Sequence, residues 1–160
     1  MIGPVWPGCG RGNSSAHFLR FERRIIMSCK SALYTANTGA QTVAVGGTIN
    51  LGSIVRRFGK CVTLNGTGIT IMEQGYYDVD VSVTAAPTAA GTVIVTLYKD
   101  GVAVPGATAS ATAAAAGDPV NLSISALIRH CCACSGTTLT LVLTGAAASV
   151  TNVAVTVERI

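Results

Sequence analysis

From Ala32 to the end of the chain, apolar residues recur at every second position. In Tyr77-Asp-Val-Asp-Val-Ser-Val-Thr84 the valines fall on one side, with Asp78, Asp80, Ser82 and Thr84 on the other. The pattern returns at Val120, Leu122, Ile124, Ala126 and Ile128, opposed by Asn121, Ser123 and Ser125. It returns again at Leu139, Leu141 and Leu143, and at Val153, Val155 and Val157. A period of two belongs to an extended strand, whose successive side chains point to opposite faces. One dry face and one wet face mark an antiparallel sheet that covers a core from one side. Val93, Val95 and Leu97 alternate too, but Ile94 and Tyr98 make their opposing side partly apolar, which predicts a strand covered on both faces.

Turn chemistry separates these runs. Asp100-Gly101 stands between Lys99 and Val102 and predicts a two-residue hairpin, since both residues tolerate the positive φ of a type I′ turn. Asn65-Gly66 is similar, and Gly46-Gly47, Gly75, Pro105-Gly106, Asp118-Pro119 and Ser135-Gly136 mark further breaks. Ala111 to Ala116 is rich in alanine, but a short tract between Gly106 and Pro119 reads as a strand end plus loop. About eight to ten short strands and no capped helical stretch predict an all-β antiparallel sandwich of the jelly-roll type.

Length and composition narrow the classes. A chain of 160 residues fits one domain able to bury most of its apolar surface without metals or disulfides. It is 49% hydrophobic but only 11% charged and 5% aromatic, so its core consists of small side chains and is thin. Such a fold gains from the further burial that an oligomer provides. Mean hydropathy is +0.52, yet Thr, Ser and Asn punctuate each hydrophobic run before it reaches about 18 residues, which argues against a membrane span. The formal charge of +4 lies mostly at the front, where Arg11, Arg20, Arg23 and Arg24 face only Glu22. The rest is close to neutral, without a basic stripe or interleaved aromatics, so nucleic acid is not an expected partner.

Residues 1–26 differ in kind from the remainder. They hold the only Trp, Trp6, and no alternating pattern. They lack the apolar run and small-residue cleavage site of a signal peptide. Glu22-Arg-Arg-Ile-Ile26 ahead of Met27 is what a purine-rich ribosome-binding site spells when read in frame. Residues 1–26 are therefore read as a leader, either untranslated or a disordered basic arm, and residues 27–160 as the domain.

Few residues could carry chemistry. Cys131, Cys132 and Cys134, with Cys29 and Cys61, form the one cluster, and Cys131 and Cys134 make a C-x-x-C without the second pair that a structural zinc site needs. Small buried apolar residues are the first reading; disulfides formed after release and a weak metal site are the other two. Asp78 and Asp80 share a strand face about 7 Å apart, as a wet face requires without any catalytic role. His130 sits beside Arg129 at a strand end, without an acid partner, and reads as a surface or interface residue. Arg56 and Arg57 point to opposite sides of an extended segment, so one is available to an acid of a neighbouring subunit. No catalytic constellation emerges, so neither an enzyme nor a bound cofactor is expected.

Several segments carry a resemblance. The stretch from Asn65 through Gly75-Tyr76-Tyr77 to Val79 resembles the central segment of the complement and tumour-necrosis-factor-like jelly rolls. Val95-Thr-Leu-Tyr-Lys-Asp-Gly-Val102 is similar to that family's following hairpin, and Val153 to Ile160 to its closing strand. Ala32-Leu-Tyr-Thr-Ala-Asn-Thr38, Gly52-Ser-Ile-Val-Arg-Arg-Phe-Gly59 and the cysteine-rich stretch resemble the C-terminal domains of collagen-like spore exosporium glycoproteins and bacteriophage structural modules. The likeness spans residues 30–160, although no Gly-X-Y tract precedes it. It implies a homotrimer that acts as a structural module on a virion surface, docked on a capsid or tail scaffold. Alternatives are a spore or cell surface with its own scaffold protein, or a module that binds a host glycan or receptor through its loops. Tyr76, Tyr77, Tyr98 and Ile94 are the candidate trimer contacts, because Tyr buries a large ring while its hydroxyl can still be satisfied.

Overall fold

The computed structural model describes residues 30–131 and 135–160. Eleven strands are formed there: β1 (Ala32–Asn37), β2 (Gln41–Val43), β3 (Ser53–Phe58), β4 (Val62–Asn65), β5 (Gly68–Ile71), β6 (Gly75–Pro87), β7 (Gly91–Lys99), β8 (Val102–Ala113), β9 (Val120–His130), β10 (Thr137–Gly145) and β11 (Ala148–Arg159). That is slightly more than the spacing of turn signals predicts, because β2 and β3 carry no alternation of dry and wet positions. The described residues hold no helix at all, hence none that could cross a membrane.

All strand pairs are antiparallel, and they form two sheets. One runs β3-β1-β11-β6-β9, with β2 also paired to β11; the other runs β4-β5-β10-β7-β8. The first and last of the described strands are neighbours, Leu33 opposite Val157. Alternation sets the packing. Val79, Val81 and Val83 stand beside Val157, Val155 and Val153 of β11 and Ala126, Ile124 and Leu122 of β9. Across the sandwich, Leu141 and Leu143 pair with Leu97 and Val95. All of these but Ala126 are buried in one core. Each buried Val or Leu contributes about 1.5–3 kcal/mol relative to exposure.

The turns behave as their residues dictate. Asp100 and Gly101 take φ of 51° and 82°, the type I′ hairpin conformation. The hairpin is also tied sideways: the Asp100 N–H donates to the Thr138 carbonyl at 2.9 Å, and its Oδ1 accepts the Thr138 N–H at 2.8 Å. The alanine-rich tract divides as expected into the end of β8 at Ala113 and a loop.

Tyr77 corrects one expectation. It is 0% exposed and fills the core between the sheets, so it packs its own subunit and not a neighbour. Its hydroxyl donates to the Glu73 carbonyl at 2.8 Å. Burial pushes the phenol above its ordinary value of 10.0, with Arg159 pulling it down and Glu73 adding to the rise. The neutral phenol is thus favoured by folding. Its contribution is complete below about pH 10, where the unfolded phenol titrates, and is lost as pH rises through the folded value. Tyr77→Phe should cost about 1 kcal/mol at neutral pH for the lost hydrogen bond. The same change should flatten the alkaline fall in stability, which denaturant titrations on either side of that pH will show.

Candidate interaction surface

The outer face of the six-stranded sheet follows from the strand register. One line across it runs Arg56, Tyr34, Thr156, Asp80, Ser125; the next runs Phe58, Ala32, Glu158, Asp78, Leu127. With strands about 4.8 Å apart, the two ends of a line are separated by roughly 19 Å. The centre is shallow and built of small or polar groups: Ser82, Ser123, Ser125, Ala154 and Thr156 line a concavity of about 320 Å³ beside Asp80. Asp80 lines this shallow concavity, and Asp78 lies on the same outer face.

The second line has apolar ends, Phe58 and Leu127, and further apolar groups lie beside each. At one edge every residue of β3 is exposed. Phe58 is 66% exposed and Val55 53%. Beside them Ala32, Tyr34, Arg56 and Phe58 line a groove of about 270 Å³. Arg56 shares the outer side with Tyr34, and Arg57, opposite Leu33, takes the other side, as an extended segment requires. At the far edge Leu127 is 59% exposed and Val102 70%. Together with Val104, Pro105 and the stem of Lys99 they border a second groove of about 300 Å³ between β8 and β9. Neither Phe58 nor Leu127 stands out in the sequence as a contact residue. Leu127 carries a signal all the same, because it breaks the polar phase of β9 set by Asn121, Ser123 and Ser125.

The remaining candidates are dispersed. Tyr76 projects from the outer face of the six-stranded sheet, half exposed, with the Arg129 guanidinium 5.9 Å from its ring centre. Ile94 and Tyr98 lie on the outer face of the other sheet and are half-buried. That face is knit by threonines, Thr92 to Thr112 at 2.8 Å and Thr96 to Thr108 at 3.0 Å between β7 and β8. Tyr76 and the Ile94–Tyr98 pair thus face opposite ways in the subunit. His130 is not at the surface. It is 4% exposed, with Nδ1 2.7 Å from the Thr137 hydroxyl. Its phase explains this, since it follows Ile124 and Ile128 on the inner side of β9.

The cysteines divide. Cys61 is buried and disulfide-bonded, which replaces the free-thiol packing expected for it. Cys131 is exposed, so it is not the small buried group expected either. Cys29, Cys132 and Cys134 lie outside the described residues, as does the leader 1–26. Among the described residues no three His, Cys, Asp or Glu side chains gather as a metal site would require.

No family model matches the chain, and no curated protein does. Solved structures do. The globular domain of zebrafish complement 1qA protein superposes with a TM-score of 0.64 at 8% identity, over 82% of this chain and 97% of that one. Eiger TNF from S. frugiperda gives 0.61 at 14% identity, over 83% and 94%. The PRD1 vertex protein P5 gives 0.58 at 17% identity, over 83% and 99%. Two antiparallel sheets in this order, matched over nearly the full length of such neighbours, are a jelly roll of the tumour-necrosis-factor and complement type.

Proposed function

We propose that the chain is a structural, non-enzymatic module that closes into a homotrimer and decorates the surface of a virion, docked on a capsid or tail scaffold. One observation carries the self-association: two apolar grooves at opposite edges of the same sheet, at β3 and between β8 and β9. Different patches on opposite sides suit a head-to-tail contact, which either closes into a ring or runs on as a filament. The family resemblance selects closure at three. Closure also covers β3, whose exposed edge is otherwise a template for uncontrolled pairing.

The non-enzymatic reading draws on the same geometry. Asp78 and Asp80 face the open side of the sheet, and His130 is buried with one ring nitrogen committed to Thr137. The virion reading draws support from the fold shared with a vertex protein. An antibody raised against the folded domain tests it. Intact purified virus particles from the source of the gene should be labelled, and mass spectrometry should find the chain among their proteins. Labelling of spores or cells with particles left blank would overturn the virion assignment in favour of the competing surfaces.

A further inference from the structure

Arg56 sets a condition on any contact made through β3. It stands on the outer side of that strand, in the groove that Tyr34 and Phe58 also line, and has no ion pair among the described residues. Closing this groove against another copy takes the guanidinium out of water, and a charge buried without a partner is costly. The facing copy must therefore bring a carboxylate. Its β8–β9 groove does not, because Lys99 and Arg129 line it and no acid among the described residues does. Edge laid squarely on edge would set Arg56 and Arg57 against Lys99 and Arg129, and like charges at an interface oppose docking.

Carboxylates stand one strand further in. On the outer face, Asp78 of β6 is directly opposite Leu127 on one side and Glu158 on the other, with Asp80 two positions along. Directly opposed residues have Cα atoms about 4.5–5.5 Å apart, so Asp78 and Glu158 repel each other within the subunit. None of the three acids has an ion pair among the described residues, and Arg129, on the same face, leans on the Tyr76 ring. The sheet face lacks positive charge where β3 lacks negative charge. The apolar groups keep matching intervals: Phe58 is two positions from Arg56 along β3, about 7 Å, and Leu127 is one strand from Asp78.

We propose that β3 of one copy overlaps the β9 rim of the next, with Phe58 against Leu127 and Arg56 paired with Asp78 in front of Glu158. This rests on the head-to-tail trimer proposed above and fixes how its copies meet, edge on face and not edge on edge. A double-mutant cycle read by sedimentation equilibrium of the full chain tests it. Arg56→Gln and Asp78→Asn should each raise the trimer's dissociation constant at least about tenfold, and the two together should add little to either alone. Reversing the pair gives a second reading: Arg56→Glu should abolish the trimer at micromolar concentration, and Asp78→Lys in the same chain should restore it. A trimer indifferent to both neutral substitutions, or losses that simply add, would overturn the pairing and leave the trimer standing. Wild-type chains that stay single would remove the trimer and the pairing together. Assembly that depends on added calcium and ignores Arg56→Gln would give the carboxylates to a cation, and would overturn the pairing as well.

Discussion

Gly145→Ala should destabilise the domain by about 4 kcal/mol, near the upper end of what a single substitution does. Gly145 closes β10 at φ 82°, and a Cβ there would lie 2.2 Å from the Thr92 carbonyl oxygen. That oxygen cannot yield, since it accepts the Ala146 N–H at 3.0 Å and belongs to the β7 backbone. Gly101 is the control. It has the same φ of 82°, but a Cβ at that position would meet nothing within 4 Å, so Gly101→Ala incurs backbone strain alone, about 1–2 kcal/mol. Urea titration of both variants separates the two contributions. Equal losses would mean that the β7–β10 corner gives way and that the clash is not what fixes glycine at 145.

The second large effect concerns assembly. Phe58→Asp and Leu127→Asp should each convert the proposed trimer to single chains at micromolar concentration. Both side chains are mostly exposed in one subunit, so neither change should alter the fold by more than about 0.5 kcal/mol. In a ring, however, each substitution recurs at all three interfaces, and a well-buried contact residue is worth about 2 kcal/mol or more at each. A carboxylate shut into an apolar groove adds its own desolvation cost. Mixing gives a sharper result. A Phe58→Asp chain keeps an intact β8–β9 groove, and a Leu127→Asp chain keeps an intact β3 edge, so the pair should form a heterodimer and stop there. Self-paired twofold contacts would not produce that species.

Much of the fold could be read from the sequence because it is local. The valines of β6 and β11 and the leucines of β10 announce their inner faces by phase alone, and Asp100-Gly101 announces its turn. Phase also distinguishes the two adjacent tyrosines, which an argument from ring size and hydroxyl alone does not. Tyr77 is in step with Val79, Val81 and Val83, and so belongs inside, whereas Tyr76 is in step with Asp78 and Asp80. Which sheet a strand joins is decided by partners far along the chain. Nothing in Ile94 or Tyr98 says that β7 lies between β10 and β8, in the sheet opposite Tyr76. The same holds for β3. Ser53-Ile-Val-Arg-Arg-Phe58 has no alternation to read, because an edge strand exposed along its whole length has no dry face to encode. His130 illustrates the converse: a polar side chain becomes a core residue because Thr137, seven positions later, is brought to its ring by the pairing of sheets.

The disulfide at Cys61 escapes sequence reasoning for a related reason, since pairing requires proximity that spacing alone does not reveal. Its presence suits a protein that spends time outside a reducing compartment, in keeping with the proposed place on a particle surface.

Sedimentation equilibrium of the full chain at micromolar concentration tests the central claim most directly. The account predicts one species of three times the chain mass found by mass spectrometry on the same sample, unchanged on dilution through that range. A stable, soluble species of single-chain mass would contradict it, and with it the explanation of why so apolar a chain leaves both edges of one sheet uncovered.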